Sequence, residues 1–327
     1  MIRQIILIGL WLLCSALSAC SLDSSQPPAS QTSEADELIP TQSIPTARQP
    51  TRTAIIDSVS SLTAVLSPAA EPTASQVINN PPQITPTGND AGCGETNGRL
   101  EPGILKSALL GGSIQFQVYL PPCYGENSNQ TFPTLYLLHG QGYSERQWEQ
   151  LGAVETSNKM IASNEVSPYI IVMPREPAGT NSERSNYDLI LALELMPTID
   201  KTYRTRPERE FRAVGGLSRG AGWAIELGIT FWDLFGAFGA HSPAVLNTNP
   251  ISMSNLLDAI PPDKYPRIFI DTGDREPPSI IESAIWLGDL LNQKGIPHEW
   301  YRFSGVHDGS YWQEHLERYL RWYTGSW

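Results

Sequence analysis

From about residue 93 to the C-terminus, apolar runs of strand length alternate with segments of helical period. Ser113 to Leu120 alternates apolar and polar residues, which predicts a half-buried strand. Thr134 to Leu138 and Tyr169 to Met173 are continuous apolar runs, as strands covered on both faces require. Tyr187 to Ile199 has a helical period. Phe211 to Leu217 predicts a strand and Ala221 to Thr230 the helix after it. Further strands are expected at Phe235 to Ala240, Arg267 to Asp271 and Glu299 to Phe303. Helices are expected at Ser279 to Asn292 and Tyr311 to Trp322. Such alternation predicts an α/β fold, with a mostly parallel sheet and helices on both faces. About two dozen residues precede Arg267 after the strand at Phe235 to Ala240, enough for one short helix near Ser252 to Ala259. No large cap domain fits there, so an open site suited to a bulky or polymeric substrate is expected.

The first 92 residues read differently. Arg3 is followed by an apolar stretch, Ile5 to Leu17, too short to span a bilayer comfortably. It ends in Leu17-Ser18-Ala19-Cys20, which resembles the signal of a bacterial lipoprotein. In such signals, cleavage precedes the cysteine and the thiol is lipidated. An ordinary secretory peptide and a signal anchor are the alternatives. On the lipoprotein reading, residues 1–20 are signal and lipidation site, and Cys20 holds the protein on the outer side of a cell membrane. Residues 21–92 are rich in Ser, Thr, Pro, Ala and Gln and are expected to form a disordered tether, with a short helix possible at Ala54 to Leu66. Residues 93–327 would be one domain. In an oxidising compartment the remaining pair, Cys93 and Cys123, is expected to bridge; two separate buried thiols are the alternative.

Composition narrows the partners. The formal net charge is −12 and no basic patch is visible, so nucleic acid is not expected. No Cys/His cluster has metal-ligand spacing, and no metal is expected. The chain is expected to act as a monomer.

The strongest chemical signal is Gly216-Leu217-Ser218-Arg219-Gly220, between a predicted strand and a predicted helix. Gly-x-Ser-x-Gly in that setting is a nucleophile elbow, which lifts the serine above the sheet edge. A serine hydroxyl needs a base, which should follow it in the chain. His307 stands in the glycine-flanked loop Gly305-Val306-His307-Asp308-Gly309 after the last strand and is the candidate. His315 reads as a surface residue of a helix and His298 as structural. His241 could line the site, and Asp308 should point elsewhere. The acid that orients the imidazole should follow the strand at Arg267 to Asp271, where Asp274 and Glu276 both qualify. The segment Leu135 to Gly142 is a strand ending in His139-Gly140. Its loop should give one oxyanion donor, the N–H of Gln141, and the residue after the serine, Arg219, the other. Trp148, Tyr311 and Trp312 could stack on sugar or aryl groups or pack the core. Arg175 and Arg184 could bind an acidic group or be solvated.

Taken together, Val118-Tyr119-Leu120-Pro121-Pro122, the His139-Gly140 turn, Ile199 to Thr205, Gly216 to Gly220 and Gly305-Val306-His307 resemble the family of esterase D, feruloyl and acetyl-xylan esterases, enterochelin esterases and mycolyltransferases. The resemblance covers roughly residues 100–322 and implies the α/β-hydrolase fold. It also implies a Ser-His-acid triad, no cofactor, and an ester substrate that is a small molecule or linked to a polysaccharide. In that family the acid commonly lies three residues beyond the glycine of a Gly-x-x-Asp turn. That position is Glu276 here, which favours Glu276 with Asp274 in reserve. Acyl transfer of the mycolyltransferase kind, or ligand binding without catalysis, are the alternative functions.

Overall fold

The computed structural model describes residues 93–177, 186–246 and 249–327. Expectations for residues 1–92, including Cys20, the tether and the helix at Ala54 to Leu66, lie outside the described residues, as does Arg184.

Eight strands form a single sheet in the order β1-β2-β4-β3-β5-β6-β7-β8. They are β1 (Arg99–Ser107), β2 (Gly112–Leu120), β3 (Thr134–Leu138), β4 (Ile170–Pro174), β5 (Arg212–Leu217), β6 (Ala237–His241), β7 (Arg267–Gly273) and β8 (Glu299–Phe303). β2 pairs antiparallel with β1 and β4, and all other pairings are parallel. The chain runs from β3 to β4 on one side and then to β5 on the other. A crevice therefore opens beyond the C-terminal ends of β3 and β5, where α/β sheets bind ligands. The two continuous apolar runs, β3 and β4, are buried at every position, and so are β5 and β6.

The sequence gives no hint of β1, because Pro102 and Gly103 read as loop. As an edge strand, β1 tolerates a proline that a central strand would not. Gly103 lies against the Phe116 ring, leaving no room there for a side chain. The predicted helix at Tyr187 to Ile199 is α3 (Tyr187–Ile190), a π-helical turn (Leu191–Leu195) and α4 (Met196–Thr202). Pro197 lacks an amide hydrogen and its ring would crowd a normal helical carbonyl. Widening the preceding turn, with Met196 N–H bonded to Leu191 O, accommodates it.

Helices cover both faces. The short α1 (Gln147–Gln150), α2 (Ala153–Ala162) and the C-terminal α8 (Gly309–Thr324) enclose one core with Leu135, Leu137, Ala213 and Phe269. On the other face lie α5 (Arg219–Thr230) and α7 (Pro278–Gln293). Gly228 of α5 packs on Phe238, and Ala284 O of α7 accepts Trp300 Nε1–H. Gly215 and Gly239 are register partners on β5 and β6 and together make the slot for the Tyr323 phenol. Between β6 and β7 the described residues hold α6 (Pro250–Asp258) and one 3-10 turn, so this connection carries no large cap.

Cys93 and Cys123 form a disulfide with Cα atoms 5.8 Å apart. It sits by the start of β1 and the end of β2, which pair with each other, and the end of β2 pairs with the N-terminal half of β4. That is the end of the sheet opposite the crevice.

Candidate active site

Ser218 stands between β5 and α5 at φ 54° and ψ −118°, a conformation sparsely populated by side-chain-bearing residues. The flanking glycines make the turn sterically possible. A Cβ on Gly216 would lie 2.2 Å from Gly220 O, and one on Gly220 would lie 2.2 Å from Leu138 O. Ser218 N–H donates to His241 O at 2.8 Å, which fixes the elbow to the end of β6.

The loop after β8 brings His307 over the elbow. His307 Nε2 lies 2.9 Å from Ser218 Oγ, and Nδ1 lies 3.1 Å from Glu276 Oε2. The Glu276 carboxylate is fully buried and His307 partly so. Glu276 Oε1 accepts from Ser242 Oγ–H at 2.5 Å and from Gly273 N–H at 3.0 Å. Asp274 faces away: its carboxylate is exposed, accepts Gly305 N–H at 2.9 Å and neighbours Arg275. The Gly305 N–H bond is the main cause that holds its pKa low. The structure thus brings Ser218, His307 and Glu276 into one line and leaves Asp274 as a loop brace. Glu276 reaches because its chain folds back on the Gly273 turn. Asp308 caps α8, accepting Ser310 N–H at 2.9 Å and Tyr311 N–H at 3.3 Å.

The loop beyond β3 packs against the elbow. A Cβ on Gly140 would lie 3.6 Å from Ser218 Cβ, and Gln141 follows it. Gly140 N–H donates to Gln147 Oε1 at 2.8 Å, and Trp148 Nε1–H donates to Leu138 O at 3.0 Å, so α1 clamps the loop. His139 accepts Glu176 N–H at Nε2, 2.9 Å away, which leaves its proton on Nδ1, facing Gly140 O at 2.8 Å. Burial lowers its pKa and keeps the ring neutral. The Glu176 carboxylate in turn takes Arg219 in a two-point pair, with Nε 2.8 Å from Oε2. Glu176 raises the Arg219 pKa. The backbone positions of Gln141 and Arg219 are therefore tied into one frame beside Ser218.

Of the alternatives open for Trp148, Tyr311 and Trp312, the core one holds: all three are buried, and none offers a face to a ligand. Arg175 is exposed, bonded to Gln115 Oε1 at 3.0 Å and close to Glu145. Two expectations are corrected. His241 does not line the site: it is fully buried, with Nδ1 2.6 Å from Asp271 Oδ1 and Nε2 2.9 Å from Tyr323 OH. His315 is half-buried against Phe303 and Tyr311, not a surface residue. Sequence reasoning missed Gln147, Glu176 and Ser242, since single polar residues without a motif carry no signal. The exposed apolar side chains beside the site are Tyr143, three residues beyond Gly140, and Val306, next to His307. Among the described residues no cluster of His, Cys, Asp and Glu could hold a metal ion.

The arrangement can make a nucleophile of a serine hydroxyl, with proton transfer through an oriented imidazole. Comparisons with known proteins agree with the geometry. A model of the Esterase family, described as "Putative esterase", matches residues 107–323. The chain is 29% identical over 215 residues to an endo-1,4-beta-xylanase/feruloyl esterase of Xylanibacter ruminicola, covering 62% of this chain and 28% of that protein. It is 26% identical over 256 residues to Esterase Rv1288 of Mycobacterium tuberculosis, covering 62% of this chain and 54% of that one. The chain thus spans between about a quarter and about half the length of these relatives. Among solved structures, a ferulic acid esterase superposes with a TM-score of 0.63 at 25% identity, covering 71% of this chain and 99% of that one. An S-formylglutathione hydrolase from Staphylococcus aureus shares the fold, with a TM-score of 0.56 at 20% identity over 70% of this chain and 98% of that one.

Proposed function

The chain belongs to the Esterase family, and from that membership we propose that it is a serine carboxylic-ester hydrolase working through an acyl-enzyme. One observation carries the reading: the unbroken line Ser218 Oγ, His307 Nε2, His307 Nδ1, Glu276 Oε2, with separations of 2.9 and 3.1 Å. Ser218 Oγ attacks the ester carbonyl while His307 Nε2 takes its proton. Glu276 holds the Nδ1–H tautomer and stabilises the imidazolium. The N–H groups of Gln141 and Arg219 receive the developing oxyanion, each worth about 3 kcal/mol in comparable sites. His307 then protonates the leaving alcohol, and water attacks the acyl-enzyme by the same route in reverse.

The names of the relatives support a hydroxycinnamoyl ester, such as a feruloyl group on a sugar, as substrate. The uncapped β6–β7 connection leaves room for a bulky alcohol. A panel of methyl ferulate, feruloylated and acetylated sugars and p-nitrophenyl acetate tests this with the full-length protein. Hydrolysis that is lost in Ser218→Ala is expected. Hydrolysis at an unchanged rate in Ser218→Ala would contradict the reading.

The N-terminal pattern supports an extracytoplasmic enzyme anchored to a cell membrane through lipid on Cys20. Cys20→Ala should then leave the membrane fraction or remain unprocessed. Retention of normally processed Cys20→Ala on the membrane would count against the anchor.

A further inference from the structure

We propose that Ser242 is a positioning residue for the triad acid: its hydroxyl pins Glu276 so that Oε2 stays aimed at His307. The inference rests on the triad reading above. Ser242 follows directly on β6 and is fully buried. Its Oγ lies 2.5 Å from Glu276 Oε1 and 3.2 Å from Trp312 Nε1.

The direction of these bonds follows from what each group can do. An indole N–H only donates, so Ser242 Oγ accepts from Trp312. The single hydroxyl proton then points at Glu276 Oε1. Gly273 N–H, a fixed backbone donor, meets the same oxygen at 3.0 Å. One carboxylate oxygen is thereby held by two donors from two different elements, which leaves the other to His307. Trp312 also meets the His307 ring edge-on, with centroids 5.1 Å apart, so one indole borders both the acid's brace and the base.

Ser242 itself is held rigidly. Its N–H donates to Asp271 O at 2.8 Å, which continues the pairing of β6 with β7. Below it His241 bonds Asp271 Oδ1, while Tyr311 OH and Tyr319 OH donate to Asp271 Oδ2 at 2.6 and 2.8 Å. This buried network fixes the end of β6 from beneath. Ser242 has φ 50°, in the left-handed region that serine rarely adopts and glycine adopts freely. A side chain kept at a strained position is expected where its hydroxyl is used.

The strain provides the test, because glycine removes the hydroxyl without straining the backbone. Full-length Ser242→Gly, Ser242→Ala, Glu276→Gln and the double variant Ser242→Gly/Glu276→Gln would be assayed on p-nitrophenyl acetate for kcat and KM, with Tm for each. A loosened acid should lower kcat roughly 10- to 100-fold in Ser242→Gly and in Ser242→Ala, with KM nearly unchanged. Tm of Ser242→Gly should fall by no more than about 5 °C, since relief of the strained φ offsets part of the acceptor lost to Trp312 Nε1–H. In the Glu276→Gln background, adding Ser242→Gly should change kcat by less than about threefold, since residues acting as a unit are not additive. Normal kcat in Ser242→Gly beside a crippled Glu276→Gln overturns this inference alone. So does a loss that multiplies in the double variant, or one that comes with a raised KM and a Tm lowered by more than about 5 °C. A normal Glu276→Gln overturns the triad reading and this inference together.

Discussion

Replacing Glu276 by glutamine removes one charge and almost no volume, and the bonds around it dictate the result. Gly273 N–H and Ser242 Oγ–H both donate to Oε1. The glutamine must therefore place its oxygen there and its NH2 where Oε2 was, 3.1 Å from His307 Nδ1. An amide NH2 only donates, so Nδ1 must give up its proton. The proton moves to Nε2, which faces Ser218 Oγ at 2.9 Å and can no longer accept from it. In an analogous triad the wrong tautomer costs roughly 10⁴-fold in kcat. At about 1.4 kcal/mol per decade that is a barrier increase of about 5 kcal/mol. Asp274→Asn should behave differently. Its side chain is exposed, and an asparagine oxygen can still accept Gly305 N–H, so turnover should stay within about tenfold. Initial rates on one chromogenic ester, with circular dichroism to check the fold, measure both. A near-normal Glu276→Gln would refute the reasoning. A large loss confined to Asp274→Asn would move the acid to Asp274.

Three further outcomes follow from the same geometry. Gly220→Ala would place a methyl 2.2 Å from Leu138 O, where only backbone can yield; a loss of more than about 2 kcal/mol in denaturant titration is expected, and near wild-type stability would count against the elbow geometry. Burial lowers the His315 and His139 pKa values from 6.5, so below about that pH the unfolded chain binds protons that the folded one refuses. Stability should fall as pH drops from 7 to 5, and His315→Phe, whose ring can keep the contacts to Phe303 and Tyr311, should flatten that slope; an unchanged slope would contradict the assignment. Opening the Cys93–Cys123 bridge with Cys123→Ser frees a closed loop of 30 residues, for an expected cost of about 3–4 kcal/mol, and a cost near zero would show that the bridge constrains nothing.

The sheet was legible in the sequence wherever an apolar or alternating run of strand length marks a strand. β3 and β8 fall at their predicted bounds, and β4, β5 and β6 within two residues of theirs. The elbow was legible because its glycines answer a steric demand that few other turns make. β1 was not, since Pro102 and Gly103 are punctuation in a central strand and harmless at an edge. The aromatic residues near the motifs gave no reliable reading of the site, because Trp148 and Trp312 have a ring to bury and an N–H to satisfy, and the fold does both inside. The choice between Asp274 and Glu276 turned on how a two-residue turn folds back, which side-chain periodicity does not encode. Ser242 and Glu176 were invisible for a similar reason: each acts through partners that are distant in sequence, Glu276 and Trp312 for the one, Arg219 and His139 for the other.

The central claim is that Ser218 becomes acylated. The direct measurement is mass spectrometry of the intact protein, and of its peptides, after brief exposure to a fluorophosphonate and, separately, to p-nitrophenyl acetate quenched in acid. One adduct per chain is expected, on the peptide bearing Ser218 and absent from Ser218→Ala. Labelling should be much slower in His307→Ala, where no base takes the Oγ proton. Hydrolysis of the ester without any adduct at Ser218, or an adduct on another residue that persists in Ser218→Ala, would contradict it.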